Sequence, residues 1–159
     1  MQEGCVLCPR KCGVDRNIQR GACNAPYFPY VAKAALHMWE EPCISGKRGS
    51  GAIFFCGCNL KCVFCQNYDI SNGSVGKMYD AEGIAELMLR LQGKDAHNVN
   101  LVSPAPFVPV LADAIRAAKN RGLSIPVVYN TNSYETLEAL RMLDGLVDIY
   151  LPDLKYVSG

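Results

Sequence analysis

Short apolar runs recur along the chain from Ala52 onward: Ala52-Ile53-Phe54-Phe55, Val99 to Val102, Val127-Val128-Tyr129 and Val147 to Leu151. Runs of this length without alternation suit strands buried on both faces of a sheet. Between them the apolar positions switch to helical spacing. Ile84, Leu87, Met88 and Leu91 share one face of a helix predicted from Asp80 to Leu91, with Asp80 as its N-cap. Val108 to Arg121 reads as a second helix, stopped by Gly122. Ser133 or Tyr134 to Leu143 reads as a third, with Glu135 and Glu138 in its early turns. A β-then-α rhythm predicts right-handed parallel β/α units. The expected fold class is therefore α/β, a partial TIM-type (β/α) barrel of parallel strands.

Upstream the pattern is less regular. Residues 1–29 are rich in cysteine and turn formers, with too few large apolar side chains to fold alone, so a bound metal would serve as their core. Tyr30 to His37 reads as a strand, being short and soon followed by Pro42. Gly46 to Gly51 reads as a flexible turn. The expected division is a Cys-rich metal-binding segment over 1–29 and a partial barrel over 30–159. After Leu151-Pro152-Asp153-Leu154-Lys155 the rhythm stops with no covering helix. About four β/α units cannot close a barrel, and an uncovered parallel edge would be exposed. A barrel truncated at this point, or completed by a partner, is the expectation.

Composition adds exclusions. Half of the 159 residues are hydrophobic and 19% are charged, enough for a packed core. Lys plus Arg number 16 against 15 for Asp plus Glu, which offers no electrostatic case for nucleic acid or an anionic membrane. No apolar run approaches the roughly 20 residues of a membrane helix. The start, Met1-Gln2-Glu3-Gly4-Cys5, lacks a signal layout, so a reducing cytoplasm is expected.

Cysteine changes the picture. All nine lie at or before position 65: Cys5, Cys8, Cys12, Cys23, Cys43, Cys56, Cys58, Cys62 and Cys65. An odd count with close spacings and no secretory context reads as metal thiolates rather than a disulfide scaffold. Cys58, Cys62 and Cys65 form a C-x3-C-x2-C loop directly after the strand Ala52 to Phe55. Parallel β/α folds bind ligands at the carboxyl ends of their strands. Three thiolates on a cubane leave one iron open for chemistry. A structural zinc, with a fourth ligand borrowed from Cys56 or Cys43, is the plainer alternative. Cys5, Cys8, Cys12 and Cys23 are a second set, whose four thiolates fit either zinc or a fully ligated iron–sulfur cluster, zinc being slightly favoured for a closed site. Cys56 reads as a buried thiol.

The C-x3-C-x2-C loop after a strand, with Phe64 before the last cysteine, resembles the radical S-adenosylmethionine superfamily. Cys65-Gln66-Asn67, Tyr129-Asn130-Thr131-Asn132 and Leu151-Pro152-Asp153-Leu154-Lys155 resemble the branch containing pyruvate formate-lyase activating enzyme. Uncharacterised relatives within that branch are more similar still, at Cys8 to Arg16, at His37 to Gly46 and at Asn100 to Pro104.

The resemblance implies a 4Fe–4S cluster on Cys58, Cys62 and Cys65, with the amine and carboxylate of S-adenosylmethionine on its fourth iron. It implies reductive cleavage to a 5′-deoxyadenosyl radical, which takes hydrogen from a substrate, either a small molecule or a protein bearing a glycyl residue. A flavodoxin- or ferredoxin-type protein would be the reductant. Phe64 would lie near the adenine, Asn130 near the methionyl end, and Asp153 and Asn67 occupy matching positions. The usual Gly-Gly-Glu-type run is absent. Ser103-Pro104-Ala105-Pro106 stands in its place, so the amine must meet other groups, Ser103 among them. A rival reading is a non-catalytic iron–sulfur or zinc protein that transfers electrons or binds a partner. Glu40 and Glu41 read as solvated turn charges, and His37 as a structural histidine.

Overall fold

A computed structural model describes residues 4–73 and 75–155. Six strands form one sheet: β1 (Tyr30–His37), β2 (Ser50–Phe55), β3 (Lys77–Met78), β4 (Val99–Val102), β5 (Val127–Thr131) and β6 (Ile149–Pro152). Their spatial order is β3-β1-β2-β4-β5-β6. β2, β4, β5 and β6 run parallel, as the repeated β-then-α pattern predicts. β1 and β3 run antiparallel to their neighbours, so the sheet is mixed rather than wholly parallel. β2 and β4 are joined through α2 (Tyr68–Ser71), β3 and α3 (Ala81–Gln92); α4 (Val108–Asn120) joins β4 to β5, and α5 (Leu137–Arg141) joins β5 to β6. A short α1 (Pro42–Ser45) follows β1.

Period-two alternation divides each parallel strand between two faces. Ile53, Phe55, Val99, Leu101, Val127 and Tyr129 point into a core shared with Ile84, Met88, Leu111 and Ile115 of α3 and α4. Burying side chains of this size contributes about 1.5–3 kcal/mol each. On the other face, Phe54, Val102, Asn130 and Leu151 stand in register across β2, β4, β5 and β6 near their carboxyl ends. One face builds the molecule, and the other is free to build a site.

Two local readings change. Gly51 is a strand residue, not part of a turn: a Cβ there would lie 2.8 Å from the Asn98 carbonyl oxygen and 3.0 Å from Leu91 Cβ. The absence of a side chain lets β2 press against the core. The third helix begins at Leu137, with the Thr136 hydroxyl accepting from the Ala139 amide. The preceding residues are captured by side chains instead. Thr131 Oγ1 accepts from the Ser133 amide and Asn132 Oδ1 from the Tyr134 amide, both at 3.1 Å. Such side-chain turns compete with helix.

Candidate metal and cofactor site

The turn out of β2 sets the site. Gly57 has φ +94°, and a Cβ on it would meet the Cys23 carbonyl oxygen at 2.9 Å. Only glycine enters this conformation at no steric cost. The chain then passes through Cys58, Cys62 and Cys65, the Cys65 amide donating to the Cys62 carbonyl at 3.3 Å. Lys61 sits at φ +60° and donates from Nζ to Asn72 Oδ1 at 3.2 Å.

Side chains from elsewhere hold this loop. Asn132 Nδ2 donates to Cys58 Sγ at 3.4 Å and to Asn59 Oδ1 at 2.8 Å. Asn59 Nδ2 in turn donates to the Tyr134 carbonyl at 2.6 Å. Arg10 Nε donates to the Asn59 carbonyl at 2.5 Å. Asn59 is only 1% exposed, so these bonds lock the loop from behind.

A cavity of about 770 Å³ opens over the loop, and Cys58, Cys62 and Cys65 all line it. Phe64, Asn67, Ser103, Asn130 and Asp153 line the same cavity. Every residue that the sequence singles out for this site, drawn from four separate stretches, therefore converges on one hollow at the carboxyl ends of parallel strands. Ser103 turns the chain there with φ +57°, and its amide donates to the Asn130 carbonyl at 3.1 Å. The Asp153 amide donates to the Thr131 carbonyl at 2.8 Å, and its carboxylate pairs with Lys155.

Glu40 was not foreseen here. It also lines the cavity, its side chain only 13% exposed, with Oε2 3.5 Å from Asn130 Nδ2 and Oε1 4.0 Å from His37 Nε2. Burial pushes its carboxyl above the usual range; Glu41 and Asp153 push the same way, and His37 opposes them. His37 lines the cavity too, its ring edge-on to Phe54. Both lie in the stretch from His37 to Gly46 that carries the resemblance, the one signal that could have marked them.

All nine cysteines are free thiols in this structure. Among the described residues no three His, Cys, Asp or Glu side chains converge on the position of a single ion. A cubane asks for something else, with each thiolate serving its own iron. Three thiols facing one roomy cavity, one of them accepting an amide N–H, suit that demand. Cys56 is 1% exposed, donates to the Val75 carbonyl at 2.6 Å and does not line the cavity, as a buried structural thiol should behave. Cys43 is exposed and likewise absent from the lining. Cys5, Cys8, Cys12 and Cys23 lie together elsewhere, around a separate small cavity.

Among the described residues no helix is long and apolar enough to cross a membrane. No solved structure matches the chain. It is 36% identical over 161 residues to an uncharacterized protein, MJ0674, of Methanocaldococcus jannaschii, a match covering 97% of this chain and 46% of that protein. The chain thus spans about half the length of this curated relative. The family model of the radical SAM superfamily matches residues 52–158, a span holding the three-cysteine loop, most of β2 and the whole of β4, β5 and β6. The chain belongs to the radical SAM superfamily.

Proposed function

We propose that Cys58, Cys62 and Cys65 hold a 4Fe–4S cluster and that the cavity above them binds S-adenosylmethionine for radical generation. The observation that carries this reading is the shared lining of one cavity by the three cysteines and by Phe64, Asn67, Ser103, Asn130 and Asp153. When bound, the cluster supplies one electron to the sulfonium of S-adenosylmethionine, releasing methionine and a 5′-deoxyadenosyl radical that takes a hydrogen atom from the substrate.

The chain's own groups prepare that step. Asn132 donates to Cys58 Sγ and so fixes the direction in which that sulfur points. Phe64 offers an apolar face for the adenine. Glu40 supplies the half-buried carboxylate that the missing Gly-Gly-Glu-type run would otherwise lead one to seek. Beside Asn130 it is placed to take the methionyl ammonium, with the Ser103 hydroxyl as a further acceptor. A charge-assisted bond of that kind contributes about 1.5–3 kcal/mol.

The substrate reading follows the activating-enzyme resemblance: a segment of a protein, with a glycyl Cα–H as the hydrogen donor. The cavity rim supports a large substrate, since Trp39 lines it at 87% exposure and Val63 on the cysteine loop is 95% exposed. Exposed apolar groups beside a site mark contact surface. The reductant in this reading is a flavodoxin- or ferredoxin-type protein, and the setting is cytoplasmic.

The test is anaerobic reconstitution, reduction and addition of S-adenosylmethionine. The expected result is 5′-deoxyadenosine together with a changed spin-resonance signal of the cluster. An intact cluster giving neither would leave the chain an iron–sulfur protein without this chemistry. Cys62→Ala should abolish both signals.

A further inference from the structure

The segment ahead of the sheet holds a second group of four thiols. The Cys5 amide donates to the Val14 carbonyl at 2.9 Å and the Gly13 amide returns to the Cys5 carbonyl at 3.0 Å, closing a small loop. Inside it, the Lys11 amide donates to the Cys8 carbonyl at 3.0 Å, with Lys11 at φ +41° and Gly13 at φ +64°. A second turn, Asn24 amide to Gly21 carbonyl at 2.9 Å, presents Cys23. Gly21 leaves room for the first loop, since a Cβ on it would lie 3.3 Å from Cys12 Sγ. Cys5, Cys8, Cys12 and Cys23 consequently surround one void of about 20 Å³.

The charges around that void are one-sided. Arg10 and Arg16 line it, and no Asp or Glu does. Arg16 is 8% exposed and its guanidinium donates to the carbonyls of Ala25, Pro26 and Pro106, with Cys5 Sγ 4.0 Å from Nη1 and the Phe107 ring beneath it. Among the described residues no carboxylate pairs with it. A guanidinium stays charged at any accessible pH, and a buried unpaired charge costs several kcal/mol. The side chains that share the void with it are the four thiols, soft donors of the kind a thiophilic metal takes.

We propose that Cys5, Cys8, Cys12 and Cys23 close as thiolates on a single tetrahedral zinc ion, with Arg16 as its buried counter-charge. Four thiolates on a divalent ion leave roughly two negative charges, which Arg10 and Arg16 together offset. A void near the minimum that holds one water molecule, about 10–15 Å³, is of the size for a single ion. The thiols surround the void, although among the described residues no three of them meet at one point. Four protein ligands leave no open position, which makes the centre structural.

Its position gives it a task. Arg10, between Cys8 and Cys12, donates to the carbonyls of Asn59 and Leu60 at 2.5 and 3.3 Å. Cys23 accepts from the Cys58 amide at 3.1 Å. The zinc knuckle is thereby the back wall of the three-cysteine loop. The inference rests on these residues alone and stands whether or not that loop carries a catalytic cluster.

Metal analysis of the full chain with Cys58, Cys62 and Cys65 all replaced by alanine isolates this site. About one zinc per chain is expected, without iron. Cobalt(II) in place of zinc should show the intense visible bands of tetrahedral thiolate coordination, and these should vanish in a further Cys12→Ser variant. Arg16→Gln should weaken zinc retention against a competing chelator by about tenfold, and Arg16→Lys by less. Iron and sulfide in place of zinc would overturn the assignment of the metal. Neither metal, with the four thiols freely reactive in folded protein, would overturn the site itself.

Discussion

The backbone amide of Cys58 donates to the carbonyl of Cys23 at 3.1 Å, joining the two cysteine groups through the main chain. The contact is possible because Gly57, one residue earlier, has φ +94° and no side chain to fill the 2.9 Å gap to that same carbonyl. Gly57→Ala must either leave the left-handed region or push Cys23 away. The left-handed conformation alone costs about 1–2 kcal/mol for an L-residue. With the steric contact added, a loss of at least about 2 kcal/mol and a fall in Tm of several degrees are expected. Calorimetry checks the first, and iron content after reconstitution should fall with it because the loop has moved.

Asn132 reaches across from the end of β5 to Cys58 Sγ at 3.4 Å. A hydrogen bond to a cluster sulfur stabilises the more negative, reduced state. Asn132→Ala should therefore lower the cluster's midpoint potential, by an amount on the order of tens of millivolts. Anaerobic redox titration followed by spin resonance measures it. Because Asn132 Nδ2 also donates to Asn59 Oδ1 at 2.8 Å, iron content after reconstitution is measured alongside, to show that the loop still holds its cluster. A potential unchanged by Asn132→Ala, with the cluster intact, would remove the sulfur contact from the account.

How far the sequence reached is set by how local each cause is. Helix α3 was legible because its apolar spacing and its cap are both local: Asp80 accepts from the Gly83 amide as the pattern requires. The four parallel strands were legible for the same reason. Strand direction was not, since nothing within Tyr30–His37 says that it pairs antiparallel with β2. β3 escaped because it has two residues, both exposed, and so no pattern at all. Glu40 was misread as a solvated charge because the sequence around it, Glu-Glu-Pro, is that of a turn. Its partner on the cavity wall is Asn130, ninety positions away. The cysteines were legible as chemistry, but Arg10 and Arg16 acquire meaning only once the void they share is seen.

Glu135 offers a test of stability against pH. It is partly buried and accepts from Tyr129 Oη at 3.2 Å and from Thr131 Oγ1. Burial raises its carboxyl above the usual range, although both hydrogen bonds pull the other way. A raised pKa means the folded state holds the proton longer than the unfolded chain does. Stability should then fall as pH climbs from the unfolded value, about 4.3, through the folded one, and stay flat above. Glu135→Gln keeps an acceptor oxygen and removes the charge. It should be neutral to slightly stabilising at pH 7, within about 1 kcal/mol, and should flatten this part of the profile. Urea melts between acidic and neutral pH decide the matter, and a Glu135→Gln variant that loses stability most at pH 7 would contradict it.

Glu40 gives the sharpest test of the cavity's chemistry. Its carboxylate sits 3.5 Å from Asn130 Nδ2 on the cavity wall, and the proposed methionyl ammonium needs an anion there. Burial, then the charges of Glu41 and Asp153, raise its pKa, while His37 lowers it. Glu40 must be ionised to hold an ammonium, and a raised pKa means that it loses its charge at a higher pH than an ordinary glutamate. Affinity for S-adenosylmethionine should therefore decline as pH falls toward the acid range, earlier than a surface carboxylate would cause. Glu40→Gln should weaken binding by about tenfold at neutral pH, the loss of one charge-assisted hydrogen bond, and should remove this acid-side decline. Equilibrium binding to the reconstituted, unreduced protein reads both effects without any turnover. The cluster's own absorption should be unchanged, because Glu40 is not a ligand. A tenfold loss that persists with the same pH profile as the parent would place the anion elsewhere, and Asp153, which follows β6 on the same cavity wall and pairs with Lys155, would be the next carboxylate to replace.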